Sequence, residues 1–99
     1  MIRVEFHPEA LAEYEEAVKH YESKQPDLGN RFIVSVQAAL LSIIESPARW
    51  PTLELDVRRR LTRVFPYAVL YSVESDYVLI LAVMHCHQKP GCWRKRYVA

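Results

Sequence analysis

Four arginines stand within six residues, Arg58, Arg59, Arg60 and Arg63, and a second basic cluster, Trp93-Arg94-Lys95-Arg96, closes the chain. A guanidinium is planar and always charged, and it meets phosphate or carboxylate through two parallel hydrogen bonds where lysine offers a point charge. On an extended segment, side chains alternate between faces. Four arginines there cannot all be buried without a cost of several kcal/mol per ion, so one face must reach solvent or a partner. A solvated edge that discourages aggregation is the plain alternative. His85, Cys86, His87 and Cys92 are all metal-ligand types. No second C-x2-C or H-x3-H pair lies upstream, so no metal site is expected. His85 or His87 beside arginines is the residue type that could act as general acid or base in phosphodiester cleavage, although histidines at a strand end more often serve as surface or hydrogen-bonding groups. Trp50, Tyr67, Trp93 and Tyr97 offer rings for base stacking, with core packing the better account of Tyr67 and Tyr71. Gly29 and Gly91 are the only glycines, so there is no phosphate-cradling loop and no cofactor is expected.

Charge is distributed unevenly. Residues 57 to 99 carry eight Lys or Arg against two acids, a local +6, while the whole chain is +1, which leaves −5 on residues 1 to 56. Such asymmetry suits a polyanionic or acidic partner for one face, since fields act over about 10 Å at moderate salt. The near-neutral total argues against indiscriminate coating of DNA.

Ninety-nine residues with 51% hydrophobic content support one domain, 1–99. No 18-residue apolar run to span a bilayer and no signal-peptide pattern are read, so a cytoplasmic protein without membrane association is expected. Two cysteines are too few for a disulfide framework and would stay reduced there.

The elements that must position these residues follow from periodicity. Ile2 to Phe6 alternates as a short strand and His7-Pro8 stops it. From Glu9, the positions Leu11, Tyr14, Ala17 or Val18, and Tyr21 recur at helical spacing, with Glu9, Glu13, Glu16 and Lys19 opposite. Pro26-Asp27-Leu28-Gly29 breaks the pattern. Phe32, Ile33, Val36, Leu40, Ile43 and Ile44 then define a second, more apolar helix that Ser46-Pro47 ends. Residues 47 to 56 read as a surface connection pinned by Trp50 and Leu53. Residues 57 to 64 are extended with a bulge or exposed face, Tyr67 to Val73 forms a strand, and Tyr77 to His85 is apolar on both faces, as a doubly covered central strand is. The expected fold class is α+β: a helical hairpin packed on a curved antiparallel sheet, order β-α-α-β-β-β.

Phe6-His7-Pro8-Glu9-Ala10, Leu28-Gly29-Asn30-Arg31-Phe32, Ser46-Pro47 with Trp50-Pro51, Arg59 with Phe65-Pro66-Tyr67 and Tyr71, and Ala82-Val83-Met84-His85 before Pro90-Gly91-Cys92-Trp93-Arg94-Lys95-Arg96 follow one another over nearly the whole chain. Together they resemble the RelE/ParE superfamily of toxins, closer to the ParE-like or plasmid-stabilisation branch. The resemblance implies the toxin of a bacterial type II toxin-antitoxin module, neutralised by a cognate antitoxin. It implies growth inhibition through DNA gyrase, as for ParE-type members, with ribosome-dependent messenger RNA cleavage of the RelE type, or a non-toxic antitoxin-binding relative, as alternatives. RelE-type nucleases place an arginine after the tyrosine that matches Tyr67. Here Ala68 stands there, so the catalytic set is incomplete and a non-enzymatic toxin is favoured. If it were a nuclease, Arg58, Arg59, Arg60, His85, His87 and Trp93 would be its candidate residues. As a binding toxin it would present Arg58, Arg59, Arg60, Arg63, Trp93, Arg94, Lys95 and Arg96 to antitoxin and target on overlapping surface.

Overall fold

The computed structural model describes residues 2–87, 91 and 93–97. Strand β1 (Arg3–Phe6) leads into helix α1 (Pro8–Lys24), helix α2 (Leu28–Glu45) and strands β2 (Thr52–Glu54), β3 (Val57–Leu61), β4 (Tyr67–Val73) and β5 (Tyr77–His85), and a 3₁₀ turn at Arg94–Arg96 follows. The α+β class and the helical hairpin on a sheet are as the sequence predicts, with two refinements. The sheet is mixed, ordered β1-β5-β4-β3-β2, because β1 joins as an edge strand parallel to β5. The supposed loop after Pro47 contributes the short strand β2. Three residues are too few to leave a periodic signature.

The helices begin where local chemistry satisfies their free amides. His7 Nδ1 accepts from the Glu9 amide at 3.1 Å, with Pro8 in the first turn, where its missing N–H costs nothing. The hairpin is closed from the opposite side: the Glu22 carboxylate of α1 accepts the amides of Asp27 and Gly29, both at 3.0 Å. A Cβ at Gly29 would lie 3.0 Å from the Val18 carbonyl oxygen, so glycine is what lets the two helices approach. By length and composition α2 is apolar enough to cross a membrane (18 residues, mean hydropathy 1.3). Here its stripe Phe32, Val36, Ala39 and Ile43 is buried against the sheet.

β5 is covered on both faces, as its unbroken apolarity predicts. Val78, Ile80 and Val83 join Val69, Tyr71 and α2 in the main core. Opposite Leu70 and Tyr71 the ladder skips from Ala82 to Ile80, so Leu81 is an inserted residue. That bulge turns both Leu81 and Ala82 to the far face, where Val57, Ala68, Leu70, Met84 and Trp93 form a second, smaller core. On the helix side the rings of Tyr21, Phe32, Phe65 and Tyr67 pack edge to face at 4.8 to 6.0 Å.

Candidate functional site

The two-residue period of β3 divides its arginines. Arg58 and Arg60 pair across the ladder with Tyr71 and Val69, on the helix side, whereas Arg59 pairs with Leu70 and faces away. Arg58 Nη1 donates to the Trp50 carbonyl at 2.7 Å, and Arg60 donates from Nε to Ser42 Oγ at 2.9 Å with its guanidinium 4.0 Å over the Trp50 ring. Both are half buried and pin the Trp50 connection to α2. Burial raises the pKa of the Tyr71 phenol while Arg58 and Arg60 pull it down, and its hydroxyl donates to the Pro47 carbonyl at 2.5 Å.

Arg59 lines a cavity of about 280 Å³ on the far face, floored by Leu61, Leu70, Met84 and Trp93 and bordered by His85. No hydrogen bond or ion pair engages its guanidinium among the described residues. Trp93, weighed above as a stacking ring, is 1% exposed and belongs to the far core. Arg94 grips Glu54 through Nε and through Nη2 at 3.1 Å. That hydrogen bond, reinforced by charge, holds the Glu54 carboxyl below the usual glutamate range and raises the Arg94 pKa. Arg96 is turned inward: its side chain is 9% exposed and bonds the Glu13 carboxylate through both Nη atoms at 2.8 and 3.0 Å. Lys95 is exposed. The single basic surface expected from residues 58 to 63 and 93 to 96 is therefore not the arrangement. Strand alternation splits the first cluster, and the protein's own carboxylates occupy two members of the second.

Arg63 lies beyond β3 in the turn to β4, where its carbonyl accepts from Ser35 Oγ at 2.6 Å. Its guanidinium also has no partner among the described residues. Beside it Val64 is 89% exposed at φ 74°, a conformation a β-branched side chain rarely takes. Together with Arg31, Val34, Ala38 and Phe65 these residues line a groove of about 430 Å³ along α2. Sequence reasoning missed Val64, because backbone strain leaves no mark on composition. It also took Glu13 for an outward helix position. Glu13 falls three residues after Ala10 and four before Ala17, the two buried α1 positions, and that spacing is the signal that would have found it.

Of the nuclease candidates, Arg59 and Trp93 line the far-face cavity, and His85 borders it from the end of β5 while its ring stacks on helix-side Tyr67. Arg58 and Arg60 are on the other side of the sheet. His85 stacks between Tyr67 and His87, with ring centroids 5.3 and 5.2 Å away, and its Nδ1 accepts from the His87 amide at 3.0 Å. Ala68 stands buried on the cavity side. No three of His, Cys, Asp and Glu converge to hold a metal among the described residues. Cys86 is exposed, and Cys92 lies outside the described residues.

Residues 4–90 match the family model described as ParE toxin of type II toxin-antitoxin system, parDE. The chain belongs to the ParE toxin family. Among solved structures, one described as the chromosomal ParDE TA system from P. aeruginosa aligns with a TM-score of 0.62 at 15% identity, covering 86% of this chain and 96% of that one. At that identity it speaks for the shared fold. No curated relative matches the chain. A ParE-family toxin of a type II system implies an antitoxin partner.

Proposed function

We propose that this chain is the toxin of a bacterial type II pair, neutralised in the cytoplasm by a cognate antitoxin, and that it arrests growth by binding DNA gyrase rather than by cleaving RNA. One observation supports the reading most: Arg59 and Arg63, on successive parts of the β3–β4 hairpin, carry guanidinium groups with no partner among the described residues, each beside exposed apolar surface. Macromolecular docking uses that combination, with apolar anchors for affinity and charge for encounter and register. The groove of Arg31, Val34, Arg63 and Val64 suits an amphipathic segment with acidic residues, the chemistry of an antitoxin arm that folds on binding. Arg59 and Lys95 are left to the target. In a supercoiling assay the purified chain should inhibit gyrase while RNA stays intact, and Arg59→Glu with Lys95→Glu should lift that inhibition. Full inhibition by the double variant would refute the assignment.

The nuclease alternative has one observation in its favour, that His85 borders the cavity lined by Arg59, although its ring stacks on helix-side Tyr67. Against it, Ala68 follows Tyr67, and Arg58 and Arg60 are spent on Trp50 and Ser42. Primer extension after induction decides between them. A ladder of cut messages that His85→Ala abolishes would establish cleavage. Expression of the chain without growth arrest would instead mark it as a non-toxic antitoxin-binding relative.

A further inference from the structure

β1 ends at Phe6, opposite Ile80, while β5 continues to His85. Beyond Ile80, that edge of β5 has no neighbouring strand among the described residues, and its main-chain groups need other partners. Two side chains supply them. Glu13 Oε1, from α1, accepts the Val83 amide at 3.1 Å, and Arg96 Nη1, from the 3₁₀ turn, donates to the Leu81 carbonyl at 3.0 Å. The same two side chains are joined to each other at 2.8 and 3.0 Å, with Glu9 a further 3.6 Å from Arg96 Nε. An acceptor for residue 83 and a donor for residue 81 are what the next residue of a parallel strand would offer. One guanidinium–carboxylate pair, 83 residues apart in sequence, thus stands in for the missing length of β1.

The pair also ties down the segment 93–97. This segment crosses the far face, plugs it with Trp93 and supplies Trp93 and Arg94 to the wall of the cavity that holds Arg59. Its other fastenings are weaker by nature. Arg94 and Glu54 are 58% and 38% exposed, and the Tyr97 hydroxyl reaches Asp56 at 3.2 Å on the surface. Among the polar contacts of this segment with described residues, the Glu13–Arg96 pair is the sheltered one, with side chains 19% and 9% exposed, and its opening takes the guanidinium from Glu13 and the donor from the Leu81 carbonyl.

We propose that segment 93–97 is a strap that opens as a unit without unfolding the sheet, and that the Glu13–Arg96 pair is its latch. Closed, the strap caps the β5 edge and walls the far-face cavity. Open, it uncovers both together and changes the surface around Arg59. That last consequence rests on the proposed target-binding role of the far face, but the latch itself does not.

Amide hydrogen exchange on the intact chain tests the latch, because the Val83 amide is bonded to Glu13 Oε1, the same atom that Arg96 Nη1 holds in place, while the other edge of β5 is bonded to β4. In the wild type, Val83 should exchange faster than the β5 amides bonded to β4, since strap opening precedes global unfolding. In Glu13→Gln, which keeps an acceptor but removes the charge, Val83 exchange should rise about tenfold or more while the β4-bonded amides keep their rates. Arg96→Lys retains a charge without the two-pronged contact and should raise it by a smaller factor, which guards against one variant folding poorly. Exchange of Val83 in step with the β4-bonded amides, in wild type and in both variants, overturns the latch. Growth arrest is scored separately: fast Val83 exchange in a chain that never arrests growth supports the latch and removes the toxin reading.

Discussion

The two faces of the sheet are held by different physics. On the helix side, α1 and α2 cover β4 and β5 with interlocked rings and aliphatic groups, and Phe32, Val36 and Ile43 are fully buried. That contact is nondirectional and roughly proportional to the apolar area buried. On the far side, the described residues include no α-helix and only the 3₁₀ turn Arg94–Arg96. A short segment covers the sheet with one indole and is fastened by Arg94–Glu54, Arg96–Glu13 and Tyr97–Asp56. A face sealed by one large ring and a few charged contacts opens locally at lower free energy than one sealed by two helices. The difference separates a permanent core from an adjustable surface. The adjustable side is the one that carries Arg59.

The strongest way to break this contrast is to cut into each core. Phe32→Ala should cost about 4 kcal/mol, seen as a lower midpoint in a single cooperative urea transition. Trp93→Ala should cost less, about 3 kcal/mol, because the far face can relax by letting the strap go. Its exchange protection should fall first along β5 from Leu81 to Val83 and leave the helices unchanged. Equal losses with uniform exchange would mean that both faces unfold as one unit.

A smaller effect of opposite sign sharpens the comparison at the turn between β3 and β4. Val64 at φ 74° is strained, and Asn tolerates that conformation better, so Val64→Asn should raise stability by about 1 kcal/mol in thermal melts. The same change should weaken antitoxin binding measured by calorimetry, since it removes an exposed apolar contact from the groove. Unchanged antitoxin affinity would take Val64 out of the docking surface.

The smallest effect is at the exposed fastening. Glu54 is held below the usual glutamate range by its hydrogen bond from Arg94, so it binds a proton less readily when the strap is closed. Its contribution is present above the ordinary glutamate pKa and is lost as pH falls through the lowered folded value. Glu54→Gln should therefore lower the melting midpoint slightly near pH 7 and leave it unchanged near about pH 3. A difference that persists in acid would give Glu54 a role apart from its charge.

Periodicity made the helices legible, together with the doubly covered β5 and the inward rings of Tyr67 and Tyr71, because burial of apolar side chains at spacings of 3.6 and 2 is written into residue order. It did not reveal β2 or the bulge at Leu81. Both are decided by pairing with distant strands. Nor did it separate the arginines by role, since Arg58, Arg59 and Arg60 are identical in type and differ only in which side of the strand each occupies.

By itself the sequence determined that this chain forms two amphipathic helices and a set of strands, in an order that places it with the ParE toxins, and that its positive charge gathers in the second half. Only the tertiary structure decided which charges remain free. Ion pairing depends on distances through space, and folding brought Glu13 within reach of Arg96 and Glu54 within reach of Arg94 while leaving Arg59 and Arg63 unengaged among the described residues.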